Sequence, residues 1–517
     1  MKPSASTLLD LLQSDAGNRA AIIVPETGVR VSYDLLRRQV LSMAEALAGA
    51  GIGRGDRVAI VLPNGLPAIV SFLAASLVGT AAPMNPSYRR DEFSFFLEDT
   101  GARLMICPPT GAEEARRAAQ DRIPVLSAAQ NAVGVVELQS SRETQSRPSP
   151  GAQQGSARKT PAPLASPRAE DTALILHTSG STGKPKRVPL EHRNLAVSAA
   201  NIAAAYALTP DDVSLCVMPL FHIHGLVAST LATLYSGGAV VVPAKFNPLA
   251  FWRLVREYGI SWYSAVPTIH QLLLERAARQ ESATGSTLRF IRSCSSPLSP
   301  RIMEQMENAF GVPMLEAYGM TEAAHQMASN PLPPKPHKAG SVGMATGAVR
   351  ISIMDEEGEH RASGECGEVV IKGPNVFRGY EGNANAGAFS DGWFRTGDEG
   401  FLDEDGYLFL TGRIKEMINR AGEKIPPLHI DEVLLRHPAV AEAVTFGFPH
   451  PVLGEEVAAA VVLRQQESEA VLLRHCRQHL AAFECPKKLH IVESIPRTAT
   501  GKIQRSAVAE AILGKAA

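Results

Sequence analysis

Neither sign of charge prevails in this chain of 517 residues: 51 lysines and arginines face 52 acidic side chains, a formal net charge of -1. Binding to a nucleic-acid backbone ordinarily shows as a basic excess, so the balance argues against nucleic acid as the main partner. Cysteine is scarce too. The six present (Cys107, Cys216, Cys294, Cys366, Cys476, Cys485) are scattered, with no CxxC pair. That argues against a disulfide framework or a cysteine zinc site and points to reduced thiols in a cytoplasmic setting. Asp10 interrupts the first leucines, and no secretory leader is expected. No internal repeat is evident.

Uninterrupted apolar runs are also lacking. The stretch from Asn64 up to Arg89, and that from Cys216 to Ala244, carry no Asp, Glu, Lys or Arg. Each is long enough to raise a membrane span, which needs roughly 20 apolar residues. Pro67, Gly79 and Pro83 punctuate the first, however, and Pro219, His222, His224, Gly237 and Gly238 the second. Each is expected to be a buried helix running into a buried strand, with no membrane span.

What is present is alternation. Strand-like "RVAIVLP" (Arg57 to Pro63) precedes helical "LPAIVSFLAASLVG", "ARLMICP" (Ala102 to Pro108) precedes "GAEEARRAAQ", and "GAVVVPA" (Gly238 to Ala244) precedes "PLAFWRLVREYG". The pattern predicts α/β layers with largely parallel sheets. At this length more than one domain is expected. Residues 139–170, rich in Ser, Gln, Pro, Arg and Ala, read as a flexible surface connection.

The stretch "HTSGSTGKPK" (His177 to Lys186) follows the strand-like "DTALILH". Backbone N–H groups freed by glycine can form an anion nest, and Thr and Ser hydroxyls add donors. Lys184 and Lys186 supply positive charge, so phosphate is the natural guest; a plain Gly/Ser turn is the bland alternative. It is not a Walker loop. Thr178 occupies the position where that motif needs its first glycine, and Pro185 replaces the required Ser or Thr.

"TSGSTGKPK" resembles the signature of the adenylate-forming enzymes, the superfamily of acyl-CoA synthetases. "PLFHIHG" (Pro219 to Gly225), "EAYGMTE" (Glu316 to Glu322), "DGWFRTGD" (Asp391 to Asp398), "GRIKEMI" (Gly412 to Ile418) and "PRTATGKIQR" (Pro496 to Arg505) resemble further family motifs in the same order. The resemblance spans nearly the whole chain and implies an α/β fold. Residues 1–412 would form a large N-terminal domain of several subdomains with layered sheets and helices. Residues 413–517 would form a small, mobile α+β C-terminal lid with its hinge at Lys415.

It also implies a reaction and roles. A carboxylate attacks the α-phosphate of ATP to give an acyl-adenylate and pyrophosphate, and the thiol of coenzyme A then takes the acyl group. Thr178, Ser179, Gly180, Ser181, Thr182, Gly183, Lys184 and Lys186 would wrap the β- and γ-phosphates. Thr182 and Glu322 would position Mg2+, a hard cation suited to phosphate oxygens. Glu316, Ala317, Tyr318, Gly319, Met320 and Thr321 would line the nucleotide beside Ser295, with Tyr318 stacked on adenine. Asp398 and Arg413 would hold the ribose, and Lys502 would bridge the attacking carboxylate and the α-phosphate. In the other lid orientation, Ala421 and Gly422, where relatives carry Gly-Gly, would line the path of the thiol. No carrier-protein segment follows Arg505, so free coenzyme A is the expected acceptor.

Within the superfamily, "WYSAVPTIHQ" (Trp262 to Gln271), "LRFIRSCSSPLSP" (Leu288 to Pro300) and "EAYGMTEAAHQMASNPLP" (Glu316 to Pro333) most resemble the oxalate–CoA ligases. Ser295 stands where long-chain relatives usually have glycine. His222, His224, His270 and His325 fall in segments expected near the acyl end, although His224 and His270 equally suit hydrogen-bonded core positions. His222, Ser295 and His325 are the candidates for holding a second carboxylate, which needs partners because burying it unpaired is costly. Were the segment after Glu322 helical, His325 would share its face and offer a donor or a cation. A medium-chain or other short carboxylate is the alternative acid. A non-catalytic nucleotide-binding protein and a phosphoryl transferase releasing ADP are the competing functions.

Overall fold

Two large, mostly parallel sheets carry the first two-thirds of the chain. The seven-stranded sheet has the spatial order Val136–Ser140, Val125–Gln130, Ala102–Cys107, Arg57–Ile60, Thr80–Pro83, Thr172–Thr178, Lys186–Glu191. Its inner strands run parallel, with an antiparallel pair at each edge. The nine-stranded sheet runs Met344–Ala345, His325–Ser329, Met314–Met320, Phe290–Ser293, Trp262–Ala265, Val213–Leu215, Ala239–Val241, Ala20–Val24, Val29–Ser32. It too is parallel inside and antiparallel at both ends. The structure is a computed structural model describing residues 5–12, 16–140, 164–178, 185–277, 286–382, 385–497 and 503–514.

Both charge-free stretches are buried helices leading into buried strands. The helix Leu66–Val78, apolar on nearly every face, starts at Gly65-Leu66-Pro67 and gives way to Thr80–Pro83. An apolar face all round suits a helix covered on all sides. Leu66 and Phe72 share one core with Val58 and Leu174 of the seven-stranded sheet and with Ile22 and Val240 of the nine-stranded one. The second stretch forms a wide π-helical turn, His224–Leu231, continued by the helix Ala232–Ser236 and the strand Ala239–Val241. Among the described residues no helix is long and apolar enough to cross a membrane. The other face of the nine-stranded sheet packs Tyr263, Ile291 and Met314 against Phe251, Val255 and Met303.

An antiparallel sheet follows, containing Arg350–Met354, Gly367–Lys372, Trp393–Leu402, Phe389–Ser390 and, beside Trp393–Leu402, Leu408–Arg413. One 3-10 turn, Ile414–Glu416, connects it to the last sheet, whose strands lie between Ile418 and Ile491. There the strand Gly454–Leu463 shows the two-residue alternation of a covered sheet. Val457, Ala459 and Val461 face the helices Pro427–Arg436 and Glu469–His479, while Ala458 and Ala460 pack with Val508 of the helix Arg505–Leu513.

Two expectations are corrected. The connection expected over 139–170 begins inside the edge strand Val136–Ser140, because this strand pairs antiparallel with Val125–Gln130; residues 141–163 lie outside the described residues. The segment after Glu322 is not helical. Thr321–Ala323 is one 3-10 turn, Ala324 takes a left-handed conformation, and His325–Ser329 is a strand paired back on Met314–Met320.

Candidate active site

The parallel strands of the nine-stranded sheet end at a cavity of about 280 Å³. Crevices outside the carboxyl ends of such strands are where α/β proteins ordinarily bind ligands. Ser295 follows the strand Phe290–Ser293, and Glu316, Ala317, Tyr318, Gly319 and Met320 come from Met314–Met320; all line the cavity, with Asp398 and Arg413 from the antiparallel sheet. Asp431, Glu432, Arg497, Ile503 and Arg505 close it from the C-terminal side.

Several lining groups are held by one another. The Tyr318 hydroxyl donates to Oδ2 of Asp398, and Arg413 Nε lies 2.9 Å from Asp398 Oδ1. Asp398 therefore fixes the aromatic ring expected at the adenine and stands beside the arginine expected at the ribose. Leu298 N–H donates to Oε1 of Glu316 at 2.8 Å. Burial outweighs that bond and pushes the Glu316 carboxyl up to about 8, with Glu432 adding to the rise.

Thr178 and Lys186 face each other as the last and first residues of paired antiparallel strands. Ser179, Gly180, Ser181, Thr182, Gly183 and Lys184, between them in sequence, lie outside the described residues. Lys186 Nζ sits 4.4 Å over the ring of Tyr380, whose hydroxyl donates to Oε1 of Glu322 at 2.8 Å. Glu322 is buried, and burial raises its carboxyl above the ordinary range despite Tyr380, Arg413 and Lys186. A buried carboxylate short of positive partners suits a divalent cation carried in on phosphate. Mg2+ commonly takes one or two carboxylates and completes its shell with phosphate oxygens and water. Among the described residues no cluster of three or more His, Cys, Asp or Glu could hold a metal by itself.

Lys502 also lies outside the described residues, but Arg497 and Ile503, which flank residues 498–502, pair across them, and both line the cavity. Lys415 is exposed within the turn Ile414–Glu416. Ala421 and Gly422 form an exposed hairpin tip and are not among the residues lining the cavity. Both have positive φ, 54° for Ala421 and 93° for Gly422. The left-handed region explains the preference for glycine there.

The histidines divide. His270 is a core residue, bonded to Tyr263 Oη and Ala265 O, and burial depresses it to about 3. His224 bridges Ser295 Oγ at 3.1 Å and Ser264 Oγ at 2.6 Å, and its ring meets that of His325 edge to face at 5.0 Å. His222, partly exposed, accepts from His224 N–H through Nδ1 at 3.3 Å. His325 lies directly behind Gly319, where an added Cβ would stand 2.2 Å from His325 O.

His325 is not a cation. Burial, and then the nearby charge of Arg292, holds both His224 and His325 well below the usual histidine range. The positive charge belongs to Arg292, fully buried in the strand Phe290–Ser293. It contacts Tyr206 Oη at 2.8 Å, Ser264 Oγ at 2.8 Å, Gln326 Oε1 at 3.0 Å and His325 Nδ1 at 3.4 Å. Sequence reading missed Arg292, Ser264, Gln326 and Tyr380. The available signal was an arginine inside an inner strand of a parallel sheet, a position ordinarily filled by apolar side chains.

Known proteins resemble the chain over most of its length. Residues 13–381 match the profile of the AMP-binding enzyme family, and residues 429–502 that of the AMP-binding enzyme C-terminal domain. The chain is 45% identical to "Probable CoA ligase CCL9" of Humulus lupulus, over 98% of this chain and 97% of that protein. It is 43% identical to the oxalate–CoA ligase of Arabidopsis thaliana, over 93% of each. The ATP-bound crystal structure of MatB from Rhodopseudomonas palustris superposes with a TM-score of 0.86 at 30% identity, covering 98% of both chains.

Proposed function

The chain belongs to the AMP-binding enzyme family, and from that premise we propose that this acid–CoA ligase activates a small dicarboxylate, oxalate, for transfer to coenzyme A. In the first half-reaction a carboxylate oxygen bonds to the α-phosphorus of ATP while the bond to the pyrophosphate oxygen breaks. In the second, the sulfur of coenzyme A adds at the acyl carbon and AMP leaves. Neither step needs a covalent nucleophile from the protein, which must align two anions and offset their charge.

Tyr318, Asp398 and Arg413 hold the nucleoside; Thr178, Lys186 and residues 179–184 receive the phosphates. Glu322 and Thr182 are the protein groups suited to Mg2+, which when bound neutralises charge on the leaving pyrophosphate. Lys502 is carried by the segment whose flanking residues reach the cavity, and a lysine on a long stem suits delivery of a charge from a second domain. Residues 1–412 act as the body and 413–517 as the lid that turns about Lys415 between half-reactions.

The observation that carries the oxalate reading is the polar wall behind Ser295, where His224, Ser264 and Arg292 stand. Identity to oxalate–CoA ligases supports it. A fatty-acid site would need apolar surface there. The test is pyrophosphate release with a panel of acids, with and without coenzyme A. Oxalate should give the highest kcat/KM and AMP should be the nucleotide product. A preference for hexanoate or octanoate would transfer the assignment to medium-chain acids, and ADP as the product would end the ligase reading.

A further inference from the structure

Arg292 is a buried cation with no carboxylate among its hydrogen-bond partners in the described residues: the Tyr206 and Ser264 hydroxyls, the Gln326 carbonyl oxygen, His325 Nδ1 and the Cys294 thiol. Such a charge is costly unless an anion answers it. Gln326, whose Oε1 accepts from Arg292, has its Nε2 buried without a hydrogen-bond partner among the described residues. The polarity around Arg292 is thus incompletely satisfied.

From Arg292 through Ser264 and His224 to Ser295, the hydrogen bonds have one order that leaves no hydroxyl proton without an acceptor in the chain. A guanidinium donates and never accepts, so Ser264 Oγ accepts from Arg292 Nη1 at 2.8 Å. Ser264 is fully buried, and among the described residues the only other partner of its hydroxyl is His224 Nε2 at 2.6 Å. Its proton must therefore go to that nitrogen, which leaves neutral His224 protonated at Nδ1. Nδ1–H then donates to Ser295 Oγ at 3.1 Å. A protonated Nδ1 cannot accept from Ser295, so Ser295 keeps its own proton to give, and Ser295 lines the cavity.

We infer that Arg292 is a specificity-determining positioning residue. Acting through Ser264 and His224, it sets the proton order so that Ser295 offers a hydroxyl hydrogen to the far end of the acid, and its field favours an anionic far end. The inference rests on the dicarboxylate reading above. It assigns the selecting charge to a side chain that does not touch substrate. Ser295 itself is held at φ 75°, a left-handed conformation that a non-glycine residue keeps only where its surroundings impose it.

Ser264→Ala cuts the chain without entering the cavity and is the main test, with Arg292→Gln beside it and Ser264→Thr as the variant that restores a hydroxyl. The readout is the ratio of kcat/KM for oxalate to that for acetate. Ser264→Ala should lower it by about tenfold or more, through the oxalate KM, with the ATP KM held within about twofold. Ser264→Thr should recover most of the ratio. If Ser264→Ala melts like the parent protein and keeps the ratio, the inference is wrong while the oxalate reading stands. If the unaltered enzyme shows no preference for oxalate over acetate, the dicarboxylate reading falls and the inference with it.

Discussion

Arg413 Nε lies 2.9 Å from Asp398 Oδ1, while the other oxygen of Asp398 accepts the Tyr318 hydroxyl. One carboxylate thereby couples the last strand of the antiparallel sheet to the wall of the cavity proposed for the nucleotide. Asp398→Asn keeps the shape and removes the charge. Charge-assisted bonds contribute about 1.5–3 kcal/mol, so the ATP KM should rise by roughly tenfold to a hundredfold. The oxalate KM at saturating ATP should change little. An unaltered ATP KM in steady-state kinetics would remove Asp398 from the nucleotide site.

Glu316 makes stability depend on pH. Its carboxyl is raised from 4.5 to about 8 in the folded protein, so between those values the native state holds a proton that the unfolded chain has released. Stability contributed by this group therefore falls as pH rises through that window and levels off above it. Glu316→Gln lacks the titration. The melting temperature of the variant relative to the parent should climb from pH 5 to pH 8. A constant difference, measured without ligands, would contradict the assignment.

Lys502→Ala should nearly abolish adenylate formation yet spare thioester formation from supplied oxalyl-adenylate, because its charge serves only the first transition state. Lys415→Pro should do the converse by stiffening the turn Ile414–Glu416, the proposed hinge of the lid. Single-turnover measurement of the two half-reactions separates them. Equal losses in both from Lys502→Ala would refute this division of labour.

Ser295→Gly should relieve the positive φ and remove the hydroxyl together. Strain of this kind amounts to about 1–3 kcal/mol, so the variant should melt no lower than the parent. It should also accept longer monocarboxylates while its oxalate KM rises. A variant that still excludes butyrate and hexanoate would show that the boundary of the acid pocket lies elsewhere.

Much of this protein is determined by sequence alone. Strand-like runs alternating with helices specify parallel layers, and proline and glycine in both charge-free stretches mark buried helices rather than spans, because breakers act locally. The residues proposed for the nucleotide were grouped in the sequence for a similar reason. Tyr318, Gly319 and their neighbours occupy one short strand, so a contiguous motif brings them to the cavity together. The acid side was not legible. Ser264, Arg292 and His325 come from three different strands and His224 from a helical turn, and only the lateral order of those strands makes them neighbours. Local spacing suggested that His325 would share a helix face with Glu322; strand pairing to Met314–Met320 decided otherwise and turned it toward Arg292. Which group carries the charge was likewise a tertiary matter, since burial beside a guanidinium keeps both histidines neutral, and neither burial nor that neighbour can be read from a histidine's place in the chain.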